Sequence, residues 1–287
     1  MILIATSGYY YNDWQGVFYP PELPANRRLE YYARRFPFAE INATYYRQPV
    51  PEMFERMLVQ TPNTFGFVVK AYKGLTHERQ ESSEFITFLT GLRPLVEAGR
   101  LICVLAQFPY SFHNTKDNRD YLECLRDRLA GLPVAVEFRN RNWARTGTFE
   151  LLSRHGLAYV AVDAPRLKGL VPPLAHATAD FAYARFHGRN AEKWYQHNQS
   201  FERYDYNYKK EELAEWVPAL KALEEATGAV YATFNNHYQG QAVVAARDLA
   251  ELLGQKSSSE DRIEKVDWKD RKGTTEQLDL PLFPGRA

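Results

Sequence analysis

Short apolar runs recur along this chain, and each gives way to polar or charged residues. The clearest is 134–143, V-A-V-E-F-R-N-R-N-W, which begins as a valine-rich run and then changes abruptly in character. Other runs end as E-I-N at 40–42, V-V-K at 68–70, A-V-D at 161–163, A-R-F-H at 184–187 and F-N-N-H at 234–237. Parallel strands buried on both faces are apolar along their length, and a (β/α)8 barrel carries its chemistry at their C-terminal ends. We therefore expect these ends to converge on one pocket.

Eight such runs predict eight strands, at 2–6, 38–42, 65–70, 101–106, 134–138, 158–162, 181–186 and 229–234. Patterns with helical spacing lie between them, at 27–36, 51–60, 82–98, 117–130, 146–155, 209–226 and 241–253. Pro218 is expected to kink the helix in which it falls. The alternation predicts the α/β class and a single TIM (β/α)8 barrel over residues 1–254. No G-x-G-x-x-G follows the first strand, which counts against a dinucleotide-binding fold.

The chain changes character at its C-terminal end. Residues 255–287 are mostly polar and charged, with little to bury, and this composition predicts a flexible, disordered tail. Its last part, Q-L-D-L-P-L-F at 277–283, is again apolar. We therefore divide the chain into a barrel, 1–254, and a tail, 255–287.

Composition narrows the class of protein without identifying it. The chain has 287 residues, with 45% hydrophobic, 25% charged and a net charge of +1, as in an ordinary globular protein. The balance gives no global electrostatic case for a nucleic acid or a membrane, although a local basic patch remains open. No apolar run reaches ~18 residues and no signal peptide is evident, so we expect a cytoplasmic protein. Its two cysteines predict neither a disulfide framework nor structural zinc.

Two glutamates end predicted strands and are candidates for catalysis. Glu40 and Glu137 would both point into the pocket, where paired carboxylates suit general acid/base work or glycoside hydrolysis. The alternative is that each is neutralised by a neighbouring cation. Lys70, Arg139 and Arg185 are available for that pairing, or they form a basic ring that holds an anionic ligand.

Histidines and asparagines end the last two predicted strands. His187 and His237 could act as general acid/base groups. Asn235 and Asn236 are better suited to hold a sugar hydroxyl or a base edge. We predict no cofactor; a divalent metal held by the histidines with Glu40, Glu137 and Asp163 is the weaker alternative, because nearby cations would repel it.

Aromatic residues are numerous, with 19 Tyr, 17 Phe and 5 Trp. Many lie beside polar residues, as Tyr9, Trp14, Tyr45 and Trp143 do. Together they could stack on a ring-containing ligand such as a sugar or a base. Ordinary loop packing is the alternative for any one of them.

Taken together, the 7–14 loop, E-I-N-A-T-Y-Y, V-V-K, V-E-F-R-N-R-N-W, R-F-H-G-R-N and F-N-N-H resemble the YecE-like family, also called domain of unknown function 72. The likeness covers about residues 1–250, in order. It implies a TIM barrel, but the family has no established activity. The positions that match its pattern are Tyr9, Trp14, Glu40, Asn42, Tyr45, Lys70, Glu137, Arg139, Trp143, Arg185, His187, Asn235, Asn236 and His237. Asn42 joins the predicted substrate-binding set through this resemblance.

The tail carries a second resemblance. Residues 277–283 are similar to the extended motif by which bacterial proteins bind the DNA sliding clamp. In this reading Gln277 anchors through its amide, while Leu280, Leu282 and Phe283 enter an apolar groove. A chance apolar tail is the alternative.

Three functions follow from these observations. The first is a TIM-barrel enzyme acting on a nucleotide or nucleic acid and recruited to the sliding clamp, in DNA repair or replication maintenance. In that reading Glu40 or Glu137 is the general acid/base, and Lys70, Arg139 and Arg185 hold phosphate. The second is a carbohydrate-active hydrolase that uses the two glutamates. The third is a nucleic-acid-binding adaptor without catalysis.

Overall fold

The computed structural model of the chain is a nearly closed barrel of eight parallel strands surrounded by helices, which confirms the predicted TIM-like α/β fold. It describes residues 1–79, 82–129 and 131–255. The predicted tail and its 277–283 motif lie outside these residues. The strands are β1 Ile2–Thr6, β2 Phe38–Ile41, β3 Gly66–Lys70, β4 Leu101–Gln107, β5 Val134–Glu137, β6 Leu157–Asp163, β7 Ala182–Phe186 and β8 Val230–Phe234.

Ten α-helices occur in the described part of the chain. They are α1 Arg28–Ala33, α2 Ala43–Tyr46, α3 Pro51–Val59, α4 Lys73–Thr76, α5 Ser82–Glu97, α6 Lys116–Arg128, α7 Thr146–Arg154, α8 Lys210–Ala214, α9 Val217–Thr227 and α10 Gln241–Leu252. The helix predicted at 209–226 is two helices, because Pro218 lies in the first turn of α9 and lacks an N–H group for a continuous ladder. The four-residue helices α2 and α4 were not predicted, since they are too short to show a period.

The strands form seven parallel ladders, in the order β1-β8-β7-β6-β5-β4-β3-β2. Strands β1 and β2 face each other across the remaining seam, where a single bridge pairs Ser7 with Glu40. At the same seam the backbone N–H of Thr6 donates to the hydroxyl of Tyr32, 3.0 Å away. A side chain of α1 therefore occupies a position that a strand partner would otherwise fill.

Strand register decides which side chains meet inside the barrel. Val162 pairs with Arg185, and Arg185 pairs with Thr233. On the other side of the barrel, Gln107 pairs with Glu137. Because neighbours in register point the same way and side chains alternate along a strand, these positions share the inner face. Charged inner positions at the C-terminal ends therefore converge, as the sequence pattern predicts.

No helix in the described part of the chain is long and apolar enough to cross a membrane. The core between sheet and helices is continuous and rich in aromatic rings. Among its largest fully buried side chains are Trp14 and Trp143, both from connecting segments. These two loops are thus fixed by packing, and they form fixed walls at the C-terminal face.

Candidate functional site

Arg185 lies at the centre of the site, fully buried near the end of β7. Its Nε donates to Glu40 Oε2 at 2.9 Å, and a terminal nitrogen donates to Glu40 Oε1 at 2.5 Å. Glu40 Oε2 also accepts from the hydroxyls of Tyr183, at 2.7 Å, and Thr233, at 3.1 Å. A planar guanidinium and a carboxylate fit each other in this two-point manner, so Glu40 is held rigidly.

The same guanidinium also holds the second carboxylate. The other terminal nitrogen of Arg185 donates to Glu137 Oε2 at 2.5 Å. Glu137 Oε1 is 2.9 Å from a terminal nitrogen of Arg139 and 3.1 Å from Nε2 of His187. Both glutamates are completely buried, so the charges are satisfied by protein groups in place of water.

The ion pairs set the protonation states of the two glutamates. Burial alone would raise the pKa of Glu40, but the Arg185 guanidinium outweighs it and holds the pKa below its usual range. Glu137 shows the same balance: burial opposes the charge, while Arg139, Arg185 and His187 bring the pKa well below its usual range. Both carboxylates are therefore ionised at neutral pH, and neither has a proton to donate as a general acid.

His187 is held neutral in one tautomer. Burial, followed by the charge of Arg139, lowers its pKa to about 3. A neutral ring whose Nε2 faces the Glu137 carboxylate carries its proton on Nε2. Its Nδ1 then accepts from the amide of Asn235, 3.1 Å away. Both ring nitrogens are thus engaged, and the ring positions Glu137.

Lys70 differs from the other charged residues of the site. Its Nζ lies 4.6 Å from the centre of the Tyr45 ring, and within the described residues it has no hydrogen-bond or ion-pair partner. Burial, then the charge of Arg185, lowers its pKa from 10.5 to about 7. A lysine that loses its proton near neutral pH can act as a base or as a nucleophile.

A partly open rim surrounds Lys70. His77 meets the Tyr45 ring edge-on at 5.0 Å, and burial together with Lys70 and Arg139 lowers its pKa to about 4. Arg139, whose side chain is 13% exposed, lies 5.9 Å from the ring of Trp194. These residues place cationic and aromatic groups side by side at the mouth of the barrel.

The structure separates two predicted substrate-binding residues, Trp14 and Trp143, and one predicted catalytic residue, His237, from this rim. Trp14 and Trp143 are fully buried, donating through Nε1 to the carbonyls of His237 and Phe112 respectively. Their rings form walls and leave no face for a ligand. His237 stacks on Tyr11 at 4.4 Å, and burial lowers its pKa to about 4. Within the described residues its ring makes no hydrogen bond to the charged cluster.

The remaining predicted substrate-binding residues differ in how far their polar atoms are satisfied by the protein. Tyr9 is partly buried and packs on Tyr32, 5.9 Å between ring centres. The Asn236 amide donates to the carbonyl of Tyr206, while its Oδ1 and that of Asn42 are buried and have no hydrogen-bond partner in the described structure. The unsatisfied acceptor of the half-buried Asn42 is available to a ligand's donor, whereas Asn236 is completely buried.

The carboxylate of Asp163 is turned away from the pocket. It accepts from Arg189, from the Tyr208 hydroxyl at 2.7 Å and from the Trp216 indole at 2.6 Å. It is therefore not available beside the other two carboxylates, as the metal alternative requires. Across residues 1–79, 82–129 and 131–255, no three His, Cys, Asp or Glu side chains are grouped as metal ligands.

Sequence reasoning did not single out Tyr183, Thr233 or His77. The first two carry a signal: each occupies an inner strand position, two residues from another member of the site. His77 follows the four-residue helix α4, which has no recognisable pattern. Its place beside Tyr45 depends on how two loops fold over each other.

Fold and site together define a TIM-like barrel whose C-terminal face holds a buried ion-pair network beside Lys70, which has no ion-pair partner among the described residues. The family described as "Protein of unknown function DUF72" matches residues 3–268, and this chain belongs to it. The resemblance to that family is thus confirmed. Its match extends past residue 254, and the predicted boundary there stays a prediction.

Relatives of known name or structure agree with this placement. The chain is 33% identical to the UPF0759 protein YunF of Bacillus subtilis, over 88% of this chain and 95% of that one. A crystal structure of a DUF72 family protein from Thermotoga maritima has a TM-score of 0.82 and 40% identity, covering 89% of this chain and all of that one. A DUF72 family protein from Enterococcus faecalis has a TM-score of 0.79 and 27% identity, covering 90% of this chain and 97% of that one.

Proposed function

We propose that the protein is an enzyme that acts on an anionic, ring-containing substrate, a nucleotide or a nucleic acid, at the C-terminal mouth of the barrel. Lys70 is the group that exchanges a proton with the substrate, and Arg139 binds its phosphate. The 277–283 motif recruits the enzyme to the bacterial sliding clamp in the cytoplasm, for DNA repair or replication maintenance.

One observation carries this proposal. Among the charged side chains of the site, the half-buried Lys70 alone has no hydrogen-bond or ion-pair partner in the described residues, and its pKa is about 7. A general base works best when its pKa lies near the working pH. The sequence suggested Glu40 or Glu137 for this role, but both are committed to Arg185, and we assign it to Lys70.

The surroundings of Lys70 favour an anionic substrate with a ring. Arg139 makes one ion pair within the described residues, at 2.9 Å to Glu137, so most of its five N–H donors remain for phosphate oxygens. The half-buried Tyr45 ring beside Lys70 offers aromatic surface to a base or a sugar, while the buried Trp194 packs beneath Arg139. The clamp-like tail favours nucleic acid among the anionic substrates.

Of the two alternatives, the glycoside hydrolase fits the geometry less well. A glycoside hydrolase needs one protonated carboxyl, and both candidate glutamates are held ionised. An adaptor would use the same rim for binding without conversion, so only an activity measurement separates it from the enzyme.

The experiment incubates the full-length protein with nucleoside monophosphates, single-stranded DNA and duplexes with one damaged base, and follows binding by anisotropy and products by mass spectrometry. We expect conversion by the parent, loss of conversion in Lys70→Met and retention in Lys221→Met, whose side chain is exposed on α9. Binding with no conversion of any probe would favour the adaptor. If the protein neither binds nor converts any of the probes, the proposal is contradicted.

A further inference from the structure

The side-chain amine of Lys70 has the surroundings that a nucleophile needs. In the charged cluster, Glu40, Glu137 and Arg185 are locked in ion pairs at 2.5 Å. The Lys70 amine lies next to them, without a hydrogen-bond or ion-pair partner in the described residues, and faces the Tyr45 ring. An ammonium held by a carboxylate keeps its proton and has no lone pair to offer, whereas an unpaired amine can attack carbon.

We infer that Lys70 forms an imine with an aldehyde that lies beside a phosphate on the substrate. This inference rests on the proposed function, because it names the substrate class of the same pocket. Arg139 supplies the phosphate contact: its guanidinium is partly exposed and makes one 2.9 Å ion pair within the described residues. The amine and the anion-binding group thus belong to one rim.

Protonation favours the reaction near neutral pH. Burial, then Arg185, lowers the pKa of Lys70 to about 7, so a large fraction of the amine is neutral there. An exposed lysine with a pKa of about 10.4 is almost entirely protonated at the same pH.

The step balances without a co-reactant. The lone pair of neutral Nζ forms a bond to the aldehyde carbon, and the carbonyl π electrons move to oxygen. Both amine hydrogens then leave with that oxygen as water, and a carbon–nitrogen double bond remains. Two kinds of molecule present this chemistry, an abasic site in DNA and a small phosphorylated sugar in its open-chain form.

Reductive trapping tests the inference. The full-length protein is incubated with sodium cyanoborohydride and one of three probes: single-stranded DNA with an abasic site, glyceraldehyde 3-phosphate, or glyceraldehyde. Peptide mass mapping locates the reduced adduct. We expect it on Lys70, formed at least about tenfold faster with a phosphorylated probe than with glyceraldehyde, as one lost charge-assisted contact implies.

Matched variants sharpen the result. Lys70→Arg loses the adduct, while Lys221→Met keeps it. Arg139→Gln lowers the rate with phosphorylated probes to the rate with glyceraldehyde. Adducts spread equally over exposed lysines such as Lys168 and Lys221, or an adduct rate unchanged in Lys70→Arg, would overturn the inference.

A measurement on the parent protein covers the case in which a Lys70 variant fails to fold. Lysines are dimethylated with carbon-13 formaldehyde, and their signals are titrated by NMR. A Lys70 midpoint near its pKa of about 7 supports the inference. A midpoint near that of exposed lysines, about 10.4, contradicts it.

The outcomes separate this inference from the proposed function. Conversion of nucleotides or DNA without any adduct leaves the proposed function standing and contradicts the imine. An adduct with glyceraldehyde 3-phosphate and not with abasic DNA supports the imine and identifies a sugar phosphate, which contradicts the nucleic-acid substrate. An adduct with abasic DNA supports both.

Discussion

Arg185 and Glu40 are joined by two hydrogen bonds that cross the interior of the barrel from β7 to β2, at 2.9 and 2.5 Å. Glu40 also forms the single bridge to Ser7 that links β2 to β1. One ion pair is therefore part of the candidate site and part of the closure of the sheet.

Replacement of Arg185 by methionine should destabilise the protein strongly. The change leaves Glu40 and Glu137 buried without their shared cation, and breaking a buried pair in this way costs about 3–5 kcal/mol. Urea unfolding measures the loss. As a control, Arg93→Met removes an exposed pair with Glu97 and should cost less than about 1 kcal/mol. Equal effects of the two changes would contradict the reading.

His187 should make stability depend on pH below the usual titration range of histidine. Its pKa is about 6.5 in the unfolded chain and about 3 in the folded one, so the folded state binds fewer protons between these values. The stabilisation is complete above about pH 6.5 and falls as the pH drops, by up to about 1.4 kcal/mol per pH unit. Glu40 and Glu137 affect stability only at lower pH, below about 4.5, because their pKa values in the folded protein are depressed.

Urea unfolding of the parent and of His187→Gln at about pH 7 and about pH 5 tests this dependence. The variant should be the less stable protein at pH 7 and should lose less on acidification. Thr178→Ala, which removes a buried hydroxyl donating to Leu157, should lower stability equally at both pH values. A parent slope that survives unchanged in His187→Gln would disprove the assignment.

Two glycines inside helices should respond oppositely to alanine. A Cβ at Gly91, in α5, would lie 2.4 Å from the carbonyl oxygen of Pro49, so Gly91→Ala should cost about 1–3 kcal/mol. At Gly147, in α7, nothing lies within 4 Å of the added atom, and Gly147→Ala should stabilise by up to about 1 kcal/mol. Thermal unfolding measures both. Destabilisation by both variants would show that the free space at Gly147 is not the deciding factor.

The clamp motif gives a prediction that is independent of the barrel. Titration calorimetry of a purified bacterial clamp should show binding by the full-length protein, and none by a chain that ends at Gly254. Leu282→Ala combined with Phe283→Ala should weaken binding by at least about tenfold, because these are the side chains that the proposed motif inserts into the apolar groove. Thr275→Ala, outside the motif, should bind as the parent does. Equal binding by all four proteins would rule the motif out.

The sequence predicts the barrel well because each strand is a local pattern. The runs that end at Glu40, Lys70, Glu137 and Arg185 could be placed at one face from the apolar-to-polar change alone. Breaks within helices were harder to predict. The single helix predicted around Pro218 is two helices in the structure, since tertiary packing decides whether a proline kinks a helix or begins one.

Pairing within the site could not be predicted. The sequence offers three cations to two carboxylates, and only side-chain reach and direction decide that Arg185 takes both. The same holds for Trp14 and Trp143, whose polar neighbours suggested exposed stacking faces. Their burial depends on contacts with His237 and Phe112, which are distant in the chain.

Strands β1 and β2 share a single backbone bridge, so side-chain contacts contribute more to closing the barrel here than at its other junctions. In the other seven junctions a substitution leaves the backbone ladder in place. At this seam the hydroxyl of Tyr32 holds the Thr6 amide, and the charge of Arg185 holds Glu40. Loss of either side chain would weaken this seam, and strand edges freed there are ready templates for pairing with another chain. Resistance to edge-to-edge pairing in this protein thus depends in part on Arg185, which is also the centre of the candidate site.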